Sequence, residues 1–258
     1  MKAFKTKIIA LCNQKGGVGK TTSSVNIASF LAITETPTLI IDMDPQANAS
    51  TGLGIEMHPK LQSSYDVLIN NKKITECIQK TEIEYLDILP ASSQLAGAEI
   101  ELVSMFTRES LLKDAIKEIY GKYKYIIIDS PPSLGLLTVN IFTAAHSIII
   151  PIQCEYYALE GLSQLLNTIR LIQNNLNPKL EIEGVLITMY DSRLNLSNQI
   201  VDEVNQYFGN KVYKTYIHRN VKLGEAPSFG KPILLYNASS TGSHNYMSLV
   251  SEILNQNG

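Results

Sequence analysis

The 258-residue chain has no tryptophan, only three cysteines, and nowhere 18 consecutive apolar residues. Each shortage excludes something. Cys12, Cys77 and Cys154 are odd in number and form no CxxC pair, so neither a disulfide framework nor a zinc site is expected, and a reducing compartment is. Without a long apolar run no helix crosses a bilayer. The basic start, Met1–Lys7, is followed by only the five apolar residues Ile8–Cys12, too few for a secretory signal. The cytoplasm is the expected location. Charge of one sign is also lacking: 22 Lys and Arg against 24 Asp and Glu leave −2, which excludes a protein that coats nucleic acid by bulk charge. What is present is a 45% hydrophobic composition, enough for a large globular core.

Short β-branched runs recur at Ile8–Leu11, Thr38–Ile41, Leu86–Leu89, Tyr125–Ile128, Ser147–Ile150 and Gly184–Thr188. Several are apolar without alternation, as strands covered on both faces are. Between them Thr21–Ala32, Glu109–Ile119, Leu159–Gln173 and Ser197–Phe208 carry apolar residues at helical spacing. The alternation predicts an α/β doubly wound fold, a mostly parallel sheet flanked by helices. One domain over residues 1–258 is expected, with 1–7 a flexible tail and Ala47–Gln79 the most loop-like stretch.

The first strand runs into Asn13-Gln14-Lys15-Gly16-Gly17-Val18-Gly19-Lys20-Thr21-Thr22 and then a helix. Glycines let successive backbone N–H groups wrap an anion, and the helix adds its positive end at the same place. In such a P-loop, Lys15 to Thr22 hold the nucleotide, Lys20 reaches the β- and γ-phosphates, and the Thr21 hydroxyl ligates Mg²⁺. ATP or ADP with Mg²⁺ is therefore the expected ligand. The loop departs from the usual pattern: the expected early glycine is Gln14, followed by a second lysine, Lys15. Downstream, Ile40–Gln46 ends a strand in Asp42-Met43-Asp44-Pro45, and Tyr125–Ile128 delivers Asp129 beside the metal as a Walker B strand, followed by the stiff Pro131-Pro132.

The KGGVGKT loop resembles the deviant Walker A motif of the ParA/MinD family of ATPases. The segments Leu95–Glu99, Gln153–Gly161 and Gly224–Pro232 are similar to the short chromosomal ParA proteins, so no helix-turn-helix domain is expected ahead of the loop. The resemblance implies that Lys15 reaches across a dimer interface to the partner's nucleotide. It implies that Asp44 positions the attacking water, that Asp42 lies near the magnesium shell, and that Asn220 and His218 contact the nucleotide, Asn220 at the adenine. Two positions depart from the family: His218, where proline is common, and Gly224, where serine is usual. The implied activity is slow ATP hydrolysis with Lys15, Lys20 and Asp44 in catalytic roles. An ATP-dependent homodimer would hold nonspecific double-stranded DNA, and a ParB-like centromere-binding protein would release it, giving nucleoid association.

Lys211, Lys214, Arg219, Lys222 and Lys231 stand against Glu225 alone, a local +4 on a body of −6. Such a segment suits weak contact with DNA phosphates. By resemblance Arg193, Arg219 and Lys222 serve DNA binding. Two rivals share the loop. A MinD-like membrane regulator needs a basic amphipathic C-terminal helix, but no Lys or Arg follows Lys231. A biosynthetic synthetase of the dethiobiotin type needs a substrate pocket that no residue constellation demands. An iron protein of the nitrogenase type would need cluster cysteines, which the stretch after Asp129 lacks.

Overall fold

The computed structural model describes residues 4–155 and 161–257. Its elements run β1 (Lys7–Leu11), α1 (Lys20–Ala32), β2 (Thr38–Asp42), α2 (Asn48–Gly52), α3 (Ser64–Leu68), α4 (Ile74–Cys77), β3 (Gln79–Lys80), β4 (Leu86–Leu89), α5 (Leu95–Glu101) and α6 (Leu111–Lys117). There follow β5 (Tyr125–Asp129), α7 (Leu136–Ala144), β6 (Ser147–Gln153), α8 (Leu162–Asn175), β7 (Glu181–Thr188), α9 (Asn195–Phe208), α10 (Val221–Glu225), α11 (Ile233–Tyr236) and α12 (Thr241–Asn257). The strands form one seven-stranded sheet in the order β3-β4-β2-β5-β1-β6-β7. All pairings are parallel except that of the two-residue β3 with β4.

The uninterrupted apolar strands are explained by cover on both faces. Ile8, Ala10, Ile126, Ile128, Ile148 and Ile150 face one core, which includes Leu95 of α5, Leu112 of α6, Phe142 of α7 and Ile169 of α8. Their neighbours Ile9, Leu11, Ile127 and Ile149 face a second core with Ile27 and Leu31 of α1 and Leu249 and Ile253 of α12. Helix α1 lies between sheet and α12, which is why it is buried nearly all round rather than along one stripe.

Register positions the chemistry. Leu11 pairs with Asp129, and Asp42 pairs with Asp129 on its other side. The carboxyl ends of β1, β2 and β5 thus end level, and β1 is flanked by β5 and by β6. The chain after β1 leads to β2 on one side, while β6 lies on the other, and a crevice for a ligand opens where an α/β sheet divides in this way.

All six strands expected from sequence are present, together with the four helices, at slightly different bounds. The start expected for α8, Leu159, lies outside the described residues, as do Tyr156–Glu160 of the Gln153–Gly161 segment and residues 1–3 of the tail. Ala47–Gln79 is not simply loop: it holds α2, α3 and α4, each four or five residues long and too short to show a helical period. Helix α3 is started by a capping box, in which Asp66 accepts the Ser63 N–H at 2.9 Å.

After α9 the chain returns along the outer edge of β7 as an irregular run joined to it by isolated bridges. Val212 bridges Val185 and His218 bridges Tyr190, with Tyr213 N–H donating to Val185 O and Ile217 N–H to Ile187 O. This run delivers residues 217–220 to the carboxyl end of the sheet.

Candidate functional site

The loop from Asn13 to Gly19 is held from outside before any ligand is considered. Asn13 spans it, donating to Pro151 O at 2.7 Å and accepting the Lys15 N–H at 3.0 Å. Thr188, at the end of β7, donates to Val18 O at 2.9 Å. Gly17 (φ 75°) and Gly19 (φ 85°) occupy left-handed backbone that a side chain would strain, and Gly19 directly precedes α1. The side chain of Lys20 is buried and folds back to donate to Lys15 O at 3.0 Å. Burial pushes its ammonium below the usual lysine range, opposed by Asp129 and Asp44 nearby.

Thr21 and Ser24 sit one turn apart on α1 and both donate to Asp129, at 2.7 Å to Oδ2 and 2.8 Å to Oδ1. Asp129 is fully buried; desolvation raises its pKa, and the neighbouring Asp42 adds to the rise. Asp42 is also raised by burial, yet its oxygens are occupied: Oδ1 accepts the Asp44 N–H at 3.1 Å, and Oδ2 accepts the N–H and hydroxyl of Ser50 at 2.9 and 2.7 Å. Its visible work is to hold the 43–50 turn against the sheet. Asp44, 6% exposed, accepts the Gln46 N–H at 2.9 Å and lines the cavity with Lys20 and Thr21.

That cavity has a volume of about 460 Å³ and is walled by the P-loop glycines, Lys20–Thr22, Asp44, Pro132, Met189 and, from the far side, Leu223, Pro227 and Lys231. A second cavity of about 310 Å³ shares Gly19, Thr22, Met189 and Leu223 with it, and is lined further by Ile217–Val221 and Gly224. His218 and Asn220 are thereby brought to the P-loop from some 200 residues away in sequence. Asn220 caps α10, its Oδ1 accepting the Lys222 N–H at 2.8 Å. His218 donates its N–H to Asn245 Oδ1 at 3.1 Å and lays its ring edge-on to Tyr190. A Cβ on Gly224 would meet no atom within 4 Å, so this departure from serine leaves the packing undisturbed.

The donor set fits a magnesium nucleotide. A buried ammonium has three donors, and the hydrogen bond it makes among the described residues is to its own loop. A hydroxyl and a carboxylate converge at 2.7 Å beside it, and the glycine backbone leaves open space, with no atom within 4 Å of a Cβ built on Gly16 or Gly17.

Lys15 is not folded into the cavity. Its ammonium pairs with Glu155 at 3.0 Å, with both side chains partly exposed. The cations expected to form one basic segment are dispersed. Lys231 lines the nucleotide-sized cavity. Lys214 lies beside α12, where Glu252 accepts its backbone N–H at 2.8 Å. Arg219 lies near Asp191, which Arg193 also engages through Nε at 2.8 Å and Nη2 at 2.6 Å. Lys222 pairs with Glu225 at 2.8 Å and lies 5.9 Å over the Tyr236 ring. The segment is spread because residues 212–219 are extended along β7, so Lys211 and Arg219 fall at opposite ends of it.

Sequence reasoning missed Ser24, Ser50, Met189 and Glu155. Ser24 was readable, since it stands one helical turn beyond Lys20 and Thr21 on the same face. The other three are placed by tertiary contact.

The fold and loop define a P-loop nucleotide-binding protein of the deviant, two-lysine type. A family model for the AAA domain matches residues 6–182. Sporulation initiation inhibitor protein Soj of Bacillus subtilis is 57% identical over 247 residues, covering 96% of this chain and 98% of that protein. Chromosome partitioning protein ParA of Myxococcus xanthus is 52% identical over 248 residues, covering 96% and 88%. Among solved structures, cobyrinic acid a,c-diamide synthase from Mycobacterium smegmatis with bound ADP and magnesium superposes with a TM-score of 0.85 at 34% identity, covering 97% of this chain and 95% of that one. The chain belongs to the Soj/ParA family of chromosome-partitioning proteins.

Proposed function

We propose that the chain, acting as one domain over residues 1–258, is a DNA-partitioning ATPase. Its ATP-bound dimer holds nonspecific double-stranded DNA and lets go when a ParB-like partner stimulates hydrolysis. The observation that carries this reading is the convergence of Lys20, Asp44 and Thr21, the last bonded to the buried Asp129, on one cavity that shares walls with a second lined by Asn220. The first has the donors a triphosphate needs, and the second is lined in part by the apolar Met189, Ile217, Val221 and Leu223, which suits a base.

In this reading the amides of Gly16–Thr22 and the Lys20 ammonium bind the β- and γ-phosphates, and Asn220 and His218 border the base. Thr21 and Asp129 would hold Mg²⁺, with Asp42 behind them, and the ion would supply neutralisation of phosphate charge. Asp44 orients the attacking water. A carboxylate held by the Gln46 N–H positions a water well but is a weak base, which suits a slow switch rather than a fast enzyme. Lys15 leaves Glu155 and crosses to the partner protomer's nucleotide, so dimerisation requires ATP. Arg193, Arg219 and Lys222 contact DNA phosphates.

A membrane-bound role is disfavoured by α12. Its apolar residues Tyr246, Leu249, Val250 and Ile253 are buried against α1 and the sheet, so its apolar stripe is taken up by the core rather than offered to lipid. No helix among the described residues is long and apolar enough to cross a membrane. The deciding experiment is retention of plasmid DNA by the purified chain with ATP, ADP or no nucleotide, at rising salt. Salt-sensitive retention with ATP alone supports the switch. ATP hydrolysis without DNA retention in any state rejects it in favour of a synthetase.

A further inference from the structure

Residues 130–135 join β5 to α7 and carry Pro132 into the wall of the larger cavity. They are pinned at three points. Ser130 Oγ donates to Leu11 O at 2.7 Å, at the end of β1. Thr138, buried in α7, donates to Ser133 O at 2.6 Å. The third pin comes from a different element. Glu99 of α5 accepts the N–H groups of Leu136 at 3.1 Å and Leu137 at 3.4 Å, the first two residues of α7.

A helix start leaves its first N–H groups without backbone partners, and a side chain at the N-cap commonly accepts one of them. Here the N-cap is Gly135, which has no side chain to offer. Glu99 caps the helix from outside and places a carboxylate at the positive end of its dipole. Gly135 is what admits it: a Cβ built there would overlap the Glu99 carboxylate. Helix α5 is itself anchored by Leu95 and Ala98, both fully buried. The segment that follows Asp129 and bears Pro132 is therefore tied at one end to the P-loop strand and at the other to α5.

We propose that Glu99 is a positioning residue for nucleotide hydrolysis: by capping α7 from α5 through the space left at Gly135, it fixes residues 130–135 in the register the reaction requires. The assignment rests on the ATPase reading above. Glu99 touches no part of the cavity, so its effect passes through the segment and falls on the rate more than on ATP affinity.

The test uses the full-length chain, with kcat, KM for ATP and Tm measured for Glu99→Ala, Glu99→Gln, Gly135→Ala and the Glu99→Ala/Gly135→Ala double variant. Glu99→Ala is expected to lower kcat ~10-fold while KM moves less than ~3-fold. Glu99→Gln, which keeps an acceptor oxygen, recovers kcat to within ~3-fold of the parent. Gly135→Ala alone lowers kcat and Tm, but adds little in the Glu99→Ala background because the overlapping carboxylate is gone. An unchanged kcat in Glu99→Ala overturns the proposal, as does a Tm loss with kcat per folded molecule preserved, or additive effects of the two substitutions. If the parent chain hydrolyses no ATP, the ATPase reading fails instead. The coupling of the two substitutions in Tm then still reports on the contact.

Discussion

Two regions of the carboxyl face of the sheet bring polar groups together in opposite ways. On the phosphate side, Lys20, Asp42 and Asp129 are buried, and their partners (Lys15 O, Ser50, Thr21 and Ser24) come from loops and helices packed in fixed positions. On the outer edge, Arg193, Arg219 and Lys222 are exposed or half-exposed, and Arg193 and Lys222 pair with carboxylates two or three residues away. The difference follows from solvation. A buried charge left without its partner costs several kcal/mol, so the interior arrangement is preorganised and intolerant. An exposed pair is screened and exchanges partners at little cost, so the outer cations are free to trade a local carboxylate for a phosphate.

The comparison breaks most plainly at Lys20. Lys20→Ala removes the buried ammonium from the loop it steadies, and ATP affinity is expected to fall ~100-fold or more, with DNA retention lost as a consequence. Equilibrium titration with a fluorescent ATP analogue reads this directly; near-parental affinity would show that the interior is less committed than its hydrogen bonds imply. Asp44→Ala comes next. It is expected to leave ATP binding within a few-fold and cut turnover ~100-fold or more, trapping the ATP-bound dimer on DNA. Rapid phosphate release by this variant would remove Asp44 from the reaction.

Lys15 lies between the two regions. Its side chain is about one-third exposed and its pair with Glu155 is of the surface kind, worth about 0.2–1 kcal/mol, so little opposes its release. In the proposed ATP dimer it would become a buried, charge-assisted donor of ~1.5–3 kcal/mol, counted twice by symmetry. Lys15→Ala is therefore expected to bind ATP and weaken dimerisation by ~100-fold or more. Gel filtration of that variant with ATP checks it, and a dimer of parental strength would keep Lys15 on the outer, exchangeable side of the comparison.

The same contrast governs what the sequence revealed. The strands and the P-loop were legible because burial on both faces leaves continuous Ile and Leu runs, and a phosphate cradle needs glycines at fixed spacing. The three short helices between Ala47 and Gln79 were not, since four or five residues carry no period and α3 depends on the Ser63–Asp66 cap. The expected basic segment was legible as composition but not as a surface. Nothing in Lys211–Lys231 says that the chain runs along β7, sends Lys231 to the cavity and leaves Lys214 beside α12. Glu155 likewise meets Lys15 only through the tertiary fold.

The smallest effect sharpens the comparison most, because it asks whether the outer cations are exchangeable. Arg193 grips Asp191 through two nitrogens, and this holds the Asp191 carboxyl down at about 2. A depressed carboxylate contributes its pairing above the ordinary carboxylate range and loses it only as pH falls through about 2. Acidification to pH 5 therefore does not free Arg193; a competing anion or added salt does. If DNA phosphates compete with Asp191, Arg193→Ala should weaken ATP-dependent DNA retention several-fold at low salt and flatten the salt dependence by roughly one unit of slope per arginine lost. Asp191→Asn, which removes the competitor and keeps the cation, should raise retention ~2–3-fold. Filter binding over a salt series at pH 7 separates the outcomes. An unchanged slope in Arg193→Ala would mean that this arginine is fixed by its neighbour, as the interior residues are, and serves the turn after β7 rather than the DNA.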